Sequence, residues 1–395
     1  MTHEQSRSPF SRRSFLQASS AAVAFHMLSE PLLAQVARGQ VAFPEGSVRI
    51  NANENPLGPC AAAREAVVAV LPEGGRYHFN LTEELVKLFA EQQGLKTENI
   101  LAFAGSTPGL YYTVAAFTSP KTSFVFGEPG YESGAGAAKA VGARVVPVPL
   151  TKTWAHDVKA MLAAAPDAGV FYICTPNNPT GTLTSREDIE YLFEHKPAGS
   201  IVMVDEAYIH FSDAPSCIDM VKAGKDVVVL RTFSKLYGMA GLRCGFAIAR
   251  PDLLKRIEAY GGMDPMPITA NAAAIASLKD AALVGQRKDA NTAVRQGTFD
   301  WLSRGGYTYS PSVSNCFMLK ANRPAKDVIA AMAHQKVFIG RRWPSMPDWV
   351  RITVGTKSEM EQFQAAFQNV MIGKVVGRAY DPLQERNLDG VIVSG

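Results

Sequence analysis

After residue 40 the chain alternates between short apolar runs rich in β-branched residues and longer stretches with helical spacing. Ile100–Phe103, Ser123–Phe126, Arg144–Val148, Val170–Cys174, Ile201–Val204, Val227–Leu230 and Phe246–Ala249 read as strands. Thr82–Gln92, Gly109–Phe117, Ser185–His195 and Pro251–Ala259 read as helices. Strands that are apolar almost throughout, separated by helices, predict an α/β domain with a mainly parallel sheet. In such a sheet ligands gather at the carboxyl ends of the strands. Residues 76–265 are assigned to this large domain. A smaller α/β domain is expected over 266–373, with helices at Thr269–Ala282, Gln286–Arg304 and Pro324–Gln335 and strand-like runs at Cys316–Leu319 and Trp349–Val354. Residues 41–75 are expected to join it as an N-terminal arm, and 374–395 form a tail.

With 395 residues, 47% of them hydrophobic, the chain has enough apolar material for two lobes. A net charge of +4 without long basic runs gives nucleic-acid binding no support. The five cysteines are scattered, without metal-site spacing, and are read as reduced and structural; no metal is expected. Residues 1–40 stand outside the fold. Ser11-Arg-Arg-Ser-Phe-Leu-Gln17 followed by Ala18–Phe25 resembles a twin-arginine export signal, which implies a periplasmic or exported protein, a cytoplasmic one being the alternative. Beyond it no apolar run is long enough to span a membrane.

The chemistry concentrates in Arg231-Thr-Phe-Ser-Lys-Leu-Tyr-Gly-Met-Ala-Gly-Leu-Arg-Cys-Gly-Phe246. Lys235 follows an apolar strand and has Arg243 nearby. Burial and neighbouring cations favour the neutral amine that attacks carbonyls. Ser234 and Arg243 are suited to a phosphate. Asp205 ends the run Ile201–Val204, and a carboxylate there needs a partner, such as a protonated ring nitrogen. Tyr208 lies three residues on. Thr175-Pro-Asn-Asn-Pro-Thr-Gly181 is a rigid turn that could present Asn178. Gly105-Ser-Thr-Pro-Gly109 opens a helix, where free amides hold phosphate. Tyr131 offers an aromatic face, and Arg351 among apolar residues asks for an anion.

In this order the motifs resemble the fold-type I aminotransferases that use pyridoxal 5'-phosphate, and most of all the histidinol-phosphate aminotransferase branch. Asn51-Ala-Asn-Glu-Asn-Pro-Leu-Gly-Pro59 and Arg76-Tyr77 are similar to that branch too. The resemblance covers roughly residues 48–370. It implies transfer of an amino group between an amino acid, or histidinol phosphate, and a 2-oxo acid through a Lys235 Schiff base. It implies that Lys235, Asp205 and Tyr208 are catalytic. Gly105, Ser106, Thr107, Tyr131, Asn178, Ser234 and Arg243 would contact the cofactor, with Tyr77 reaching it from the other subunit of a homodimer. Arg351, Arg341 and Asn55 would meet the substrate. The chain departs from the family at Thr107-Pro108, where an acidic residue is common, and along Val337–Pro347, where Trp343, Met346 and nearby Trp349 add apolar bulk. Threonine-phosphate decarboxylases share these motifs and are the alternative enzymatic reading. A PLP-sensing regulator, which would need a DNA-binding module, is the remote one.

Overall fold

The computed structural model describes residues 43–261 and 265–373; the twin-arginine segment and the tail lie outside them. The described chain opens on β1 (Val48–Ile50) and later supplies a seven-stranded sheet. Its strands are β2 (Ile100–Phe103), β3 (Ser123–Glu128), β4 (Val145–Pro149), β5 (Ala168–Cys174), β6 (Ile201–Asp205), β7 (Val227–Thr232) and β8 (Gly245–Ala249), in the order β2-β8-β7-β6-β5-β3-β4. β8 runs against both of its neighbours, while β4, β3, β5, β6 and β7 pair in parallel. The reason lies in the connection. Residues 233–244 contain no helix, and a parallel return would need a helical crossover.

The central strands alternate between two apolar clusters. Phe171, Ile173, Val202, Val204, Val227 and Val229 face one, and Val170, Tyr172, Met203, Val228 and Leu230 face the other. Both faces are covered, so the strands read as continuous apolar runs in the sequence. The last residues of β2 and of the five parallel strands, with the first of β8, emerge from this packing at one edge, which carries Asp205 and Thr232.

The smaller lobe is built on two short sheets. β1 pairs in parallel with β10 (Val337–Ile339), and β9 (Cys316–Lys320) pairs antiparallel with β11 (Trp349–Thr353). Phe317, Val350, Ile352, Phe363 and Phe367 form its core. The alanine-rich helix Ile268–Lys279 packs instead on the large sheet's cluster through Ala270, Ala273 and Ala274. The packing changes over inside the long helix Leu283–Arg304, which starts in one cluster at Leu283 and ends in the other at Phe299 and Leu302. A boundary read from sequence at 265 therefore falls short of the change in packing.

Three expected helices begin earlier than the periodicity suggested: Phe79–Gln93, Ser106–Phe117 and Leu283–Arg304. Among the described residues no helix is long and apolar enough to cross a membrane, and no cluster of His, Cys, Asp and Glu could hold a metal ion. The five cysteines form no disulfide.

Candidate active site

Strand register sets the first part of the site. Cys174 ends β5 directly opposite Asp205, which ends β6. Tyr172 lies two residues back on the same face as Cys174. Its hydroxyl donates to Asp205 Oδ2 at 2.8 Å, and the Ala207 amide donates to Oδ1 at 3.0 Å. Burial raises the Asp205 pKa; those two hydrogen bonds and the charge of Lys235 act against it. An anion held this way is matched to a buried cation at the strand ends.

Lys235 sits in the loop between β7 and β8. It is partly exposed. Its ammonium nevertheless lies in a desolvated position, and that burial, with the positive charges of Arg351 and Arg243, brings its pKa down from 10.5 to about 8. Its Nζ stands 5.6 Å from the centre of the Tyr208 ring. The Tyr208 hydroxyl accepts from Asn53 Nδ2 at 3.0 Å. Tyr208 is buried, and its pKa rises well above the ordinary value.

Ser234 and Arg243 converge on the helix start at Ser106. Arg243 holds the left-handed conformation, φ 65°. One of its Nη atoms donates to Ser234 Oγ at 3.3 Å and to the Ala240 carbonyl at 2.9 Å. A Cβ added at Gly105 would lie 2.0 Å from the other Nη atom of Arg243, and one added at Gly245 would lie 2.5 Å from the Ser106 amide nitrogen. Gly105 has φ 89° and no side chain caps the helix Ser106–Phe117, whose first residues are Ser106 and Thr107. A guanidinium, a hydroxyl and helix-start amides thus share one small recess that only glycines leave open. Such a recess has the donors and the room to serve as a phosphate cradle. Gly105→Ala forces a side chain into a glycine-only conformation and displaces Arg243. Loss of a charge-assisted contact predicts cofactor affinity about 10- to 100-fold weaker. Titration of the cofactor-free protein with pyridoxal phosphate measures this; unchanged affinity would remove Gly105 from the cradle.

The smaller lobe adds the remaining side chains by strand alternation. On β11, Val350 and Ile352 enter the lobe's core, so Arg351 and Thr353 point the other way. Arg351, 4% exposed, donates to Asn178 Oδ1 at 3.0 Å and to the Asn51 carbonyl at 2.6 Å. Thr353 holds Asn53: its Oγ1 accepts from the Asn53 amide at 2.9 Å and donates to Asn53 Oδ1 at 3.1 Å. Asn53 takes φ 53° and also reaches Cys316 Sγ at 3.1 Å. Trp343, fully buried, donates its indole N–H to the Gly130 carbonyl at 2.9 Å. Both Arg351 and Arg341 lie over this indole, with Cζ at 5.6 and 4.4 Å from its centre. Arg341 pairs with Glu132 at 2.5 Å, whereas Arg342 is exposed. Tyr131, next to Glu132, packs at the edge of the cluster that contains Tyr172.

The structure therefore gathers Lys235, Asp205, Tyr208, Asn178 and Arg351, and builds the adjoining cradle from Gly105, Ser106, Ser234 and Arg243. Tyr77 is not gathered with them: it is 70% exposed and stacks on Phe79. Asn55 is turned to the backbone, donating to the Leu236 carbonyl at 2.8 Å and accepting from Leu57 N–H at 3.0 Å. It ties the N-terminal arm to the lysine loop, in place of the substrate contact expected of it. Asn53, two residues earlier in the same motif, is the one that reaches Tyr208. Sequence reasoning also passed over Tyr172 and Glu132, because their parts depend on strand register and on a contact across 209 residues.

A buried carboxylate at a strand end, a lysine of lowered pKa and a phosphate cradle fit pyridoxal phosphate: an anchor each for its ring nitrogen, its aldehyde carbon and its phosphate. The comparisons with known proteins agree. Residues 46–367 match the sequence model of aminotransferase class I and II. An aromatic amino acid aminotransferase of Rhodococcus jostii is 35% identical over 82% of this chain and 90% of that protein. A histidinol-phosphate aminotransferase of Halalkalibacterium halodurans is 32% identical over 83% and 90%. The crystal structure of a putative histidinol-phosphate aminotransferase from Erwinia carotovora atroseptica superposes with a TM-score of 0.81 at 32% identity, covering 85% of this chain and 99% of that one. The chain belongs to the class I and II aminotransferases, as a fold-type I, pyridoxal-phosphate-dependent transaminase of the histidinol-phosphate aminotransferase branch.

Proposed function

We propose that this aminotransferase takes its amino group from an α-amino acid with a flat, uncharged side chain, of the aromatic kind, and works as a homodimer. The observation that carries the reading is the grouping of Lys235 with Arg351. One supplies an amine, the other a carboxylate grip, and the charge of each is felt at the same place. When bound, pyridoxal phosphate supplies an aldehyde that exchanges between amines and a ring that takes up the electrons of a broken Cα–H bond.

The protein's part follows from its side chains. Arg351 orients the α-carboxylate, so that the Cα proton is presented to Lys235. With the substrate amine in its place, Lys235 Nζ would accept the Cα proton and hand it on to the cofactor's former aldehyde carbon, so that the amino group stays with the cofactor. This transfer within one site is worth about 10²–10⁴-fold. Asp205 would hold a proton at the ring nitrogen, its carboxylate kept aimed by Tyr172 and the Ala207 amide. Asn178 and Tyr208 would contact the ring's hydroxyl, and Tyr131 would offer its aromatic face to the ring. The cradle of Gly105, Ser106, Thr107, Ser234 and Arg243 would hold the phosphate.

An aromatic donor is supported by the Rhodococcus relative and by the apolar group of Trp343, Met318, Met346, Trp154 and Trp349 behind the arginines. A dimer is supported by Leu57, Val68, Leu71, Tyr77 and Phe79, all more than half exposed within one short stretch. Tyr77 would complete the partner's cradle from there. The test is a half-reaction screen of the cofactor-loaded protein. Phenylalanine and tyrosine should bleach the lysine-bound cofactor's visible absorbance, and sedimentation should give a dimer. Bleaching by histidinol phosphate and glutamate with none by aromatic amino acids would overturn the donor class; a monomer at full activity would overturn the dimer.

A further inference from the structure

Arg341 is a second cation beside the substrate arginine, and the chain has already supplied it with an anion. Glu132 comes from the loop after β3, next to Tyr131, while Arg341 follows β10 in the smaller lobe. Their side chains meet at 2.5 Å, each 24% exposed. Two more contacts fasten the same segments together: the Trp343 indole N–H to the Gly130 carbonyl at 2.9 Å, and Ser345 Oγ to Glu128 Oε1 at 2.6 Å. Arg341 and Arg351 both lie by the Trp343 indole, with Cζ at 4.4 and 5.6 Å from its centre, which makes Arg341 the second cation that a ligand gripped by Arg351 could meet. Glu128 stands close enough to feel both Glu132 and Arg341, so a second anion would meet two carboxylates around one guanidinium.

We propose that Glu132 is a selectivity residue, whose carboxylate occupies the place of a substrate's second anion on Arg341 and so disfavours dianionic ligands relative to those with neutral side chains. This rests on the reading of Arg351 as the α-carboxylate grip. A dianionic ligand must part a partly desolvated ion pair before it can use Arg341, whereas a neutral side chain leaves the pair intact. Glu132 touches neither cofactor nor the reacting atoms; it acts through Arg341.

Two unreactive acids separate the effects. Glutarate and 3-phenylpropanoate each offer one carboxylate to Arg351, and only glutarate carries another. Their dissociation constants are measured by calorimetry at fixed ionic strength on the cofactor-loaded protein and on Glu132→Gln, Arg341→Gln and the double variant. Glu132→Gln should favour glutarate over 3-phenylpropanoate by about tenfold more than the unaltered protein does. In the Arg341→Gln background the same change should do nothing, which a purely structural role for Glu132 would not produce. An unshifted ratio, or a shift toward 3-phenylpropanoate, overturns the proposal. Failure of both acids to bind the unaltered protein overturns the Arg351 reading and this proposal with it, and that result is distinct from binding with an unshifted ratio.

Discussion

Replacing Lys235 with Ala should lower transamination by at least about 10²–10⁴-fold, the contribution of a positioned proton transfer alone. The loss should exceed that, because the variant also lacks the amine that anchors the cofactor. Borohydride treatment of the unaltered protein should fix the cofactor to a peptide containing Lys235, and the variant should show no such adduct. The variant should still fold, since Lys235 is partly exposed and its removal takes a desolvated charge from beside Arg351 and Arg243. The pH dependence carries its own sign. Only the neutral amine attacks an aldehyde. With the pKa brought down to about 8, adduct formation by the cofactor-free protein should rise with pH up to about 8 and then level off. An ordinary lysine would go on rising past pH 10. Activity retained in Lys235→Ala, or a rise continuing beyond pH 10, would show that the reactive amine is elsewhere.

Asp205→Asn is expected to act in opposite directions on the empty and loaded protein. Removing one partner of a buried charge pair costs about 3–5 kcal/mol, so turnover should fall by about 10²- to 10⁴-fold, as should cofactor affinity. In the cofactor-free protein the charge of Lys235 and two hydrogen bonds only partly offset the burial of this carboxylate. Burial raises its folded pKa above the ordinary 3.8. A carboxyl group with a raised folded pKa contributes stability below the ordinary carboxylate range and loses it as pH rises through the folded value. At neutral pH the empty Asp205→Asn protein should therefore melt at the same temperature or higher, while its melting temperature gains less from added cofactor. A lower melting temperature for the empty variant would mean that Asp205 is chiefly structural.

Much of this site could be read before any coordinates. Lys235, Asp205, Ser234 and Arg243 sit at the ends of strands that are apolar on both faces, so each polar residue there is conspicuous against its neighbours. Gly105 was legible for the same reason, as a glycine between a strand and a helix. What could not be read depends on register and on distant contacts. Asn53 and Asn55 occupy one motif two residues apart, and nothing local says which reaches Tyr208. Tyr172 looks like a core aromatic until β5 and β6 are aligned so that Cys174 faces Asp205. Arg341 and Arg342 are neighbours of one residue type, and only the indole of Trp343 and the carboxylate of Glu132 distinguish them. The three-residue strands β1 and β10 carry too little pattern to announce themselves, although their pairing ties the N-terminal arm into the smaller lobe.

The alternation along β11 has a consequence for how such a site can vary. Val350 and Ile352 fill the lobe's core while Arg351 and Thr353 hold polar contacts on the other face, so moving the strand by one residue would turn the arginine into the apolar core and the valine out of it. A change in length in the irregular run before Trp349, where Arg341 and Trp343 lie, would leave that phase intact. The carboxylate grip proposed for Arg351 would thus be held in phase with a hydrophobic core, while the side-chain contacts proposed for Arg341 would rest on a segment outside that alternation.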